Sequence, residues 1–330
     1  MTGEGQKPED KRTSLLLVVD LYGAVMVAYL LVRCLGGGGL WVVELMSTIV
    51  HWLLLPAFLL IPIGLARRRW GTLALLLMCS TAFIVLFGGL FIPIFPDRDI
   101  CDDQQFSTLR VMTYNISHGL AFPDRIVEVM ETSGAEVIAI QELPDGMVPT
   151  IQEELGDLYP YQVFFGGGFS GIGLISRYPI LEEEPFLLEG PRPYLMADLK
   201  VGSDIVTVIA AHPPVMIGPG GGSAPGAADM QTLAEMAVGE GRTIIMGDFN
   251  FTDQNQDYRV LARAGLIDAH RAAGWGFGST YPRRGWTGGF RLPLVRIDHV
   301  FLAGEIYPQR VWVGRDGGSD HLPVLAILAW

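Results

Sequence analysis

Two textures divide the chain. Up to about residue 96 the apolar residues form long unbroken runs; from residue 109 they form short runs, each closed by a polar residue or a glycine. Three of the long runs, 15–35, 40–65 and 70–95, reach the roughly 20 residues that a helix needs to cross a bilayer. Four glycines at 36–39 break the first run from the second, and Arg67, Arg68 and Arg69 separate the second from the third. The pattern predicts a cytoplasmic tail over 1–14, three transmembrane helices over 15–96, a linker over 97–107 and a folded domain over 108–330. Lys11 and Arg12 precede the first run as a signal peptide's basic end would, but no small-residue cleavage site is evident and two more runs follow, so a retained anchor is expected.

The short-run region has the alternation of an α/β domain. Strands are expected over 109–114, 137–140, 172–176, 205–211, 243–246, 295–302 and 323–328. Helical spacing marks 124–132, 227–238 and 257–264, the first opened by Pro123 and closed by Ser133-Gly134.

Charge sharpens the division. Residues 1–96 hold 7 Lys and Arg against 5 Asp and Glu; residues 97–330 hold 16 against 30. Such an acidic domain is a poor general binder of polyanions, whose affinity rests on Lys and Arg. In the first part, the basic residues Lys7, Lys11, Arg12 and the arginine triplet fall on one side of three crossings, so the positive-inside rule puts the folded domain outside the cytoplasm. Within the runs, Asp20, Arg33 and Glu44 lie near ends, while His51 is deeper and seven residues after Glu44. They either pair inside the bundle or line a polar path. Of three cysteines, Cys34 and Cys79 fall in the runs and Cys101 lies after them. No disulfide can form within the folded domain, so its location rests on topology alone.

The candidate chemistry lies where apolar strands end. Asn115, Glu142, His212 and Asp248 with Asn250 each follow such a run, and Asp298 and Asp320-His321 sit on or beside two more. In extended geometry Asp248 and Asn250 would share a side while Phe249 turns inward. Any one of these is equally an Asx-type turn or a structural histidine. Together they supply carboxylates, amides and imidazoles with no credible Ser or Cys nucleophile. Water is then the nucleophile, and a hard divalent cation such as Mg²⁺ the electrophile, because the ligands are oxygens.

The ordered motifs Val-Met-Thr-Tyr-Asn115, Ile-Gln-Glu142, Gly-Leu-Ile-Ser-Arg-Tyr-Pro179, His212, Gly-Asp248-Phe-Asn250, Arg-Ile-Asp298-His and Ser-Asp320-His321-Leu-Pro-Val resemble those of the endonuclease/exonuclease/phosphatase superfamily. The resemblance covers about residues 108–330. It implies a DNase I-like four-layer sandwich, two packed β-sheets flanked by helices, with the site at one edge. It further implies Glu142 as principal Mg²⁺ ligand (Mn²⁺ being the alternative), with Asn115 and Asp320 assisting. Asp248 would orient or deprotonate water, Asn250 and His212 would donate to phosphoryl oxygens, and Asp298 would hold His321 opposite the phosphorus, either Asp248 or His321 taking the proton. Nucleases of the superfamily often carry an acid two residues after the Asn; here stands Ser117, so a second metal position is not implied.

Substrate is less legible. In Tyr281-Pro-Arg283-Arg284-Gly-Trp286-Thr-Gly-Gly-Phe290-Arg291, Arg283 and Arg284 could hold a phosphate while Trp286 and Phe290 sit at a bilayer interface; a solvated turn is the alternative. The layout also resembles membrane-bound members associated with teicoplanin resistance and lipid-carrier phosphate metabolism. A lipid-linked phosphate, pyrophosphate or phosphodiester at the bilayer is the expected substrate. An anchored nuclease and an inactive binding module are the rival expectations.

Overall fold

The computed structural model describes residues 8–36, 39–92, 107–117, 122–214, 224–239, 241–283 and 292–330. The chain divides into two compact units, Met1–Gly89 and Leu90–Trp330.

The first unit is helical: α1 (Pro8–Cys34), α2 (Trp41–Thr48), α3 (Val50–Leu54), α4 (Pro56–Ala66) and α5 (Trp70–Phe87). Two apolar stretches, Leu16–Cys34 and Trp70–Phe91, are long enough to cross a membrane unaided; α2 and the α3–α4 pair make a third only as a bent pair, with 77° between them. Pro56 and Pro62 fall in the second leg of that pair. Pairwise contacts fix the directions of the legs. Asp20 of α1 pairs with Arg69 at 2.8 Å and accepts a hydrogen bond from Thr72, and Leu75 lies against Gly23, so α1 and α5 run parallel. His51 packs on Phe87 (5.7 Å), Phe58 on Phe83 (5.4 Å), and Gly64 faces Leu73, so α3–α4 runs antiparallel along α5. The unit is therefore an up–down–up bundle, its middle leg made by α3–α4. Two ionisable residues within the apolar runs turn inward, while Arg67, Arg68 and Arg69 are exposed. Glu44 and His51 are buried, the Tyr29 hydroxyl meets Ser47 Oγ at 2.9 Å, and Asp20 is held by α5.

The second unit contains two six-stranded sheets. Its elements in order are β1 (Thr108–Asn115), α6 (Pro123–Thr132), β2 (Val137–Gln141), α7 (Val148–Leu155), β3 (Tyr161–Phe165), β4 (Ile172–Ser176), β5 (Ile180–Leu187), β6 (Pro193–Val201), β7 (Asp204–Ala211), α8 (Ala224–Gly239), β8 (Thr243–Asp248), α9 (Gln256–Arg263), β9 (Ile267–Asp268), α10 (Ala269–Ala273), β10 (Asp298–Ala303), β11 (Tyr307–Val313) and β12 (Val324–Ala329). One sheet has the order β11-β12-β1-β2-β4-β3, the other β5-β6-β7-β8-β10-β9.

The alternation of each strand builds the layers. On β1, Leu109 and Val111 join Val137, Val208, Ile244, Met246 and Val300 in the core between the sheets. Met112 and Tyr114, one step out of phase, face Ile126, Met130 and Ile151 of α6 and α7. On β8, Ile245 likewise meets Leu233 of α8 and Leu261 of α9. The result is the expected sandwich of two packed sheets flanked by helices.

Five strands lie outside the sequence expectation: β3, β5, β6, β9 and β11. Each is at or next to a sheet edge, and β5 carries Glu182, Glu183 and Glu184 in exposed positions, so its apolar alternation is erased. The strand expected over 295–302 begins at Asp298, which leaves Arg296 in the approach to it.

Candidate active site

Parallel pairing puts the strand ends together. β1 pairs parallel with β2, and β7 with β8, so Asn115, Glu142, His212 and Asp248 emerge from central strands at one edge of the sandwich. β10 pairs antiparallel with β8 in the register Asp298↔Asp248, which starts β10 where β8 ends. β12 pairs antiparallel with β1, bringing Ser319, Asp320 and His321 to the same edge just before it begins. Gly247 is required by close packing: a Cβ there would lie 1.8 Å from the Ala211 carbonyl oxygen.

Asp248 is the hub. Its Oδ2 accepts from Asn115 Nδ2 at 2.9 Å, and lies 3.5 Å from His212 Nε2 and 3.7 Å from His321 Nε2. Its Oδ1 accepts from the Asn250 amide nitrogen at 2.9 Å. Burial alone would raise the Asp248 carboxyl, but the imidazoles of His321 and His212 outweigh it and hold the group well below the usual carboxylate range. His321 Nδ1 lies 3.0 Å from Asp298 Oδ2. Burial opposes a charge on His321, yet Asp298 and then Asp248 raise it to about 10. Burial raises Asp298 itself, against the pull of His321. The ring of Tyr281 packs against His321, centroids 4.7 Å apart.

The other residues singled out in the sequence divide. Glu142 stands with its carboxylate 3.8 Å from His212 Nε2 and its backbone at φ 52°. Its turn depends on Gly171, where a Cβ would fall 1.7 Å from the Leu143 carbonyl oxygen. Asp320 has a buried Oδ1 without a hydrogen-bond partner, as does Asp298. Asn250 departs from the extended geometry expected of it. Its φ is 56°, because Asp248 closes an Asx turn onto its nitrogen, and its side-chain amide donates to the Pro213 carbonyl at 2.9 Å. Phe249 is buried among Phe251, His299 and Phe301, as its alternation implied. Arg283 Nε donates to Asp316 at 3.2 Å, while Arg284, Trp286 and Phe290 lie outside the described residues. Ser117, Glu142 and Asn250 all have positive φ at this one edge, a concentration of backbone strain typical of functional sites.

Arg192 was not read from the sequence, and Arg296 was read only as part of the Arg-Ile-Asp298-His motif, without its partner. Arg192, in the turn between β5 and β6, places a guanidinium nitrogen on His212 Nε2. Nothing in its local sequence marks it, because its partner is 20 residues away on another strand. Arg296 is buried and forks onto Asp268, at 3.0 and 2.9 Å. It anchors the approach to Asp298 from beneath, so it is a positioning residue rather than a ligand for an anion.

As for a metal, Asp248, Asp298 and His321 offer three ligand atoms within 4.8 Å of one another. That set differs from the Asn115, Glu142 and Asp320 expected from the sequence. With His321 raised toward imidazolium, both its ring nitrogens are donors, so it partners the two carboxylates rather than offering a ligand. Glu142 and the unpartnered oxygen of Asp320 leave acceptors for a cation, and an all-oxygen set suits a hard divalent ion.

Two packed sheets flanked by helices, with a carboxylate–imidazole cluster at their common edge, define a DNase I-like α/β sandwich. The chain belongs to the Endonuclease/Exonuclease/phosphatase family, whose model matches residues 112–321. Members of that family are hydrolases acting on phosphoester bonds. Among solved structures, the endonuclease/exonuclease/phosphatase from Bacteroides vulgatus is similar, with 18% identity, a TM-score of 0.56, and 67% of this chain and 98% of that one covered. Truncated Caenorhabditis elegans TDP2 (17%, 0.54, 67% and 97%) and the mannosyl-6-phosphatase of Bacteroides thetaiotaomicron (18%, 0.52, 67% and 100%) share the fold. No curated protein matches the chain in sequence.

Proposed function

We propose that the protein is a membrane-anchored phosphoesterase dependent on a divalent metal, Mg²⁺ or Mn²⁺, that uses activated water. Its substrate is a lipid-linked phosphate, pyrophosphate or phosphodiester outside the cytoplasm. The observation that carries this reading is the hub at Asp248, where groups from both sheets converge on one buried carboxylate. Asp248 accepts from and orients the attacking water, its own orientation fixed by Asn115 and the Asn250 nitrogen. His321, aligned by Asp298, faces the phosphorus as a donor to a phosphoryl oxygen. Arg192 adds a donor on the neighbouring side; His212 can join it through Nε2 only once Arg192 releases that nitrogen, and the Asn250 amide only by leaving Pro213. Glu142, with Asn115 and Asp320, would hold the ion, which when bound stabilises charge on the phosphoryl oxygens and lowers the pKa of bound water.

Two features favour the lipid over nucleic acid. The second unit carries the chain's acidic excess, which disfavours a polyanionic duplex. The up–down–up bundle, with Lys11, Arg12 and the triplet Arg67–Arg69 toward one end and only Arg33 toward the other, supports an odd number of crossings and an extracytoplasmic site.

The test is a phosphate-release and product-mass screen of the purified full chain. Polyprenyl phosphate and pyrophosphate, sphingomyelin, phosphatidylinositol and plasmid DNA are compared with Mg²⁺ and with chelator. Turnover of a lipid substrate, abolished by chelator and by Glu142→Ala, is the expected result. Cleavage of DNA alone would establish the nuclease instead, and chelator-resistant turnover would remove the metal.

A further inference from the structure

Beside the site, the second unit exposes large apolar side chains that its own fold does not cover. Trp275 is 69% exposed, Leu292 72% and Leu294 44%. They lie on the two segments flanking the Tyr281↔Val295 bridge. The Leu294 and Val295 nitrogens both donate to the Tyr281 carbonyl, at 2.8 and 2.9 Å, and Tyr281 is the ring packed on His321. The apolar rim and the imidazole are thus joined by one residue.

The same rim receives the start of the unit. Phe91 packs edge-on against Trp275 (6.0 Å) and Phe277 (5.2 Å), and the Gly276 nitrogen donates to the Leu90 carbonyl at 2.7 Å. Leu90 and Phe91 are also the last residues of the stretch Trp70–Phe91, long and apolar enough to cross a membrane. If residues 70–91 span a membrane, their end at Phe91 would bring the Trp275 ring packed on it to headgroup level.

We propose that Trp275, Leu292 and Leu294 form an apolar rim that docks in the bilayer interface, presenting the side of the site marked by Tyr281 and His321 to membrane-embedded substrate. The proposal rests on the reading of residues 70–91 as a membrane span. Tryptophan with aliphatic neighbours is the composition that settles at headgroup depth. Because the unit is strongly acidic, attraction to anionic lipid does not hold it there, and docking is expected to withstand salt. A substrate with its phosphate at headgroup level and its tail in hydrocarbon would reach the site without leaving the membrane.

The test uses the full chain in phosphatidylcholine nanodiscs, with Cys34, Cys79 and Cys101 replaced by Ser. Single cysteines at Trp275, Leu292 and Leu294 carry spin labels, as do controls at Ile205 and Val238, which are 52% and 61% exposed; Ile205 opens β7 and Val238 precedes β8, at the ends of those strands away from His212 and Asp248. Collision with oxygen is compared with collision with a water-soluble nickel chelate. The rim labels should show an oxygen-to-nickel ratio several-fold above the controls, unchanged by added salt or by phosphatidylglycerol. A ratio equal to the controls overturns the proposal. So does shielding from both reagents, which would mark a protein partner or a second copy. Leu292→Cys and Leu294→Cys leave the Phe91–Trp275 contact intact, so the test stands even if Trp275→Cys fails to fold. No turnover is measured, so failure of the hydrolase reading would not register here, nor would failure of docking abolish hydrolysis of a soluble phosphoester.

Discussion

The side-chain amide of Asn115 donates to Asp248 Oδ2 across 2.9 Å, and in doing so ties the end of β1 in one sheet to the end of β8 in the other. This bond crosses the seam of the sandwich at the point where the chemistry is proposed to occur. Asp248→Asn removes the negative acceptor while keeping the shape of the side chain. It should lower kcat by roughly 10²–10⁴-fold, the range of general-base contributions, with little change in KM or melting temperature. Steady-state kinetics on a soluble phosphoester would check this, and unchanged kcat would remove Asp248 from the chemistry.

Arg192 offers a second measurement. If its guanidinium grips a phosphoryl oxygen beside His212, Arg192→Ala should lower kcat/KM by about 10–100-fold, the scale of a lost charge-assisted hydrogen bond at a desolvated site. The loss should be greater for a doubly charged monoester than for a diester, and Arg192→Lys should restore part of it, because the lysine lacks the planar fork. An arginine that merely supports the β5–β6 turn would lower stability and leave the monoester-to-diester ratio unmoved.

The buried histidines beneath the second sheet give a stability prediction. Burial and the neighbouring Arg296 depress His270 and His299 to about 4 each. The folded values lie below the ordinary 6.5, so the unfolded chain binds more protons between these limits. Stability from this source is complete above about pH 6.5 and is lost as pH falls toward 4, on the order of 1–3 kcal/mol for each ring. Denaturant midpoints followed from pH 7.5 to 4 should show that decline, and it should be shallower in His299→Gln. A flat profile would mean that the rings are not held neutral.

Topology can be read in intact cells. With the native cysteines replaced, Leu187→Cys on the exposed end of β5 should react with a membrane-impermeant maleimide before lysis. Reaction only after lysis would place the second unit in the cytoplasm and require an even number of crossings.

The central strands and the residues at their ends were legible because each apolar run is long enough to be buried and stops abruptly at a polar side chain. Asn115, Glu142, His212 and Asp248 stand out for that reason, and parallel pairing does the rest. The edge strands were hidden by the solvent they face: in β5 three glutamates occupy positions that would otherwise alternate. Asn250 was misread because an Asx turn is a local competition between a side chain and extended backbone, which a two-residue spacing does not reveal. Arg192 could not be seen, since its meaning comes entirely from a strand folded against it later. In the helical unit, apolar content predicted a middle run over 40–65 but not its 77° bend.

The placement of β12 has a consequence for when a site can exist. Although it lies near the end of the sequence, β12 fills a central position between β11 and β1, and His321 sits just ahead of it. Asn115, at the other end of the domain, has its carbonyl held by the Ser319 hydroxyl at 2.8 Å. The site is therefore a clasp between the first strand and the last. A chain emerging residue by residue carries Glu142 and Asp248 long before it carries His321, and the cluster around Asp248 stays incomplete until the final strand slots into place.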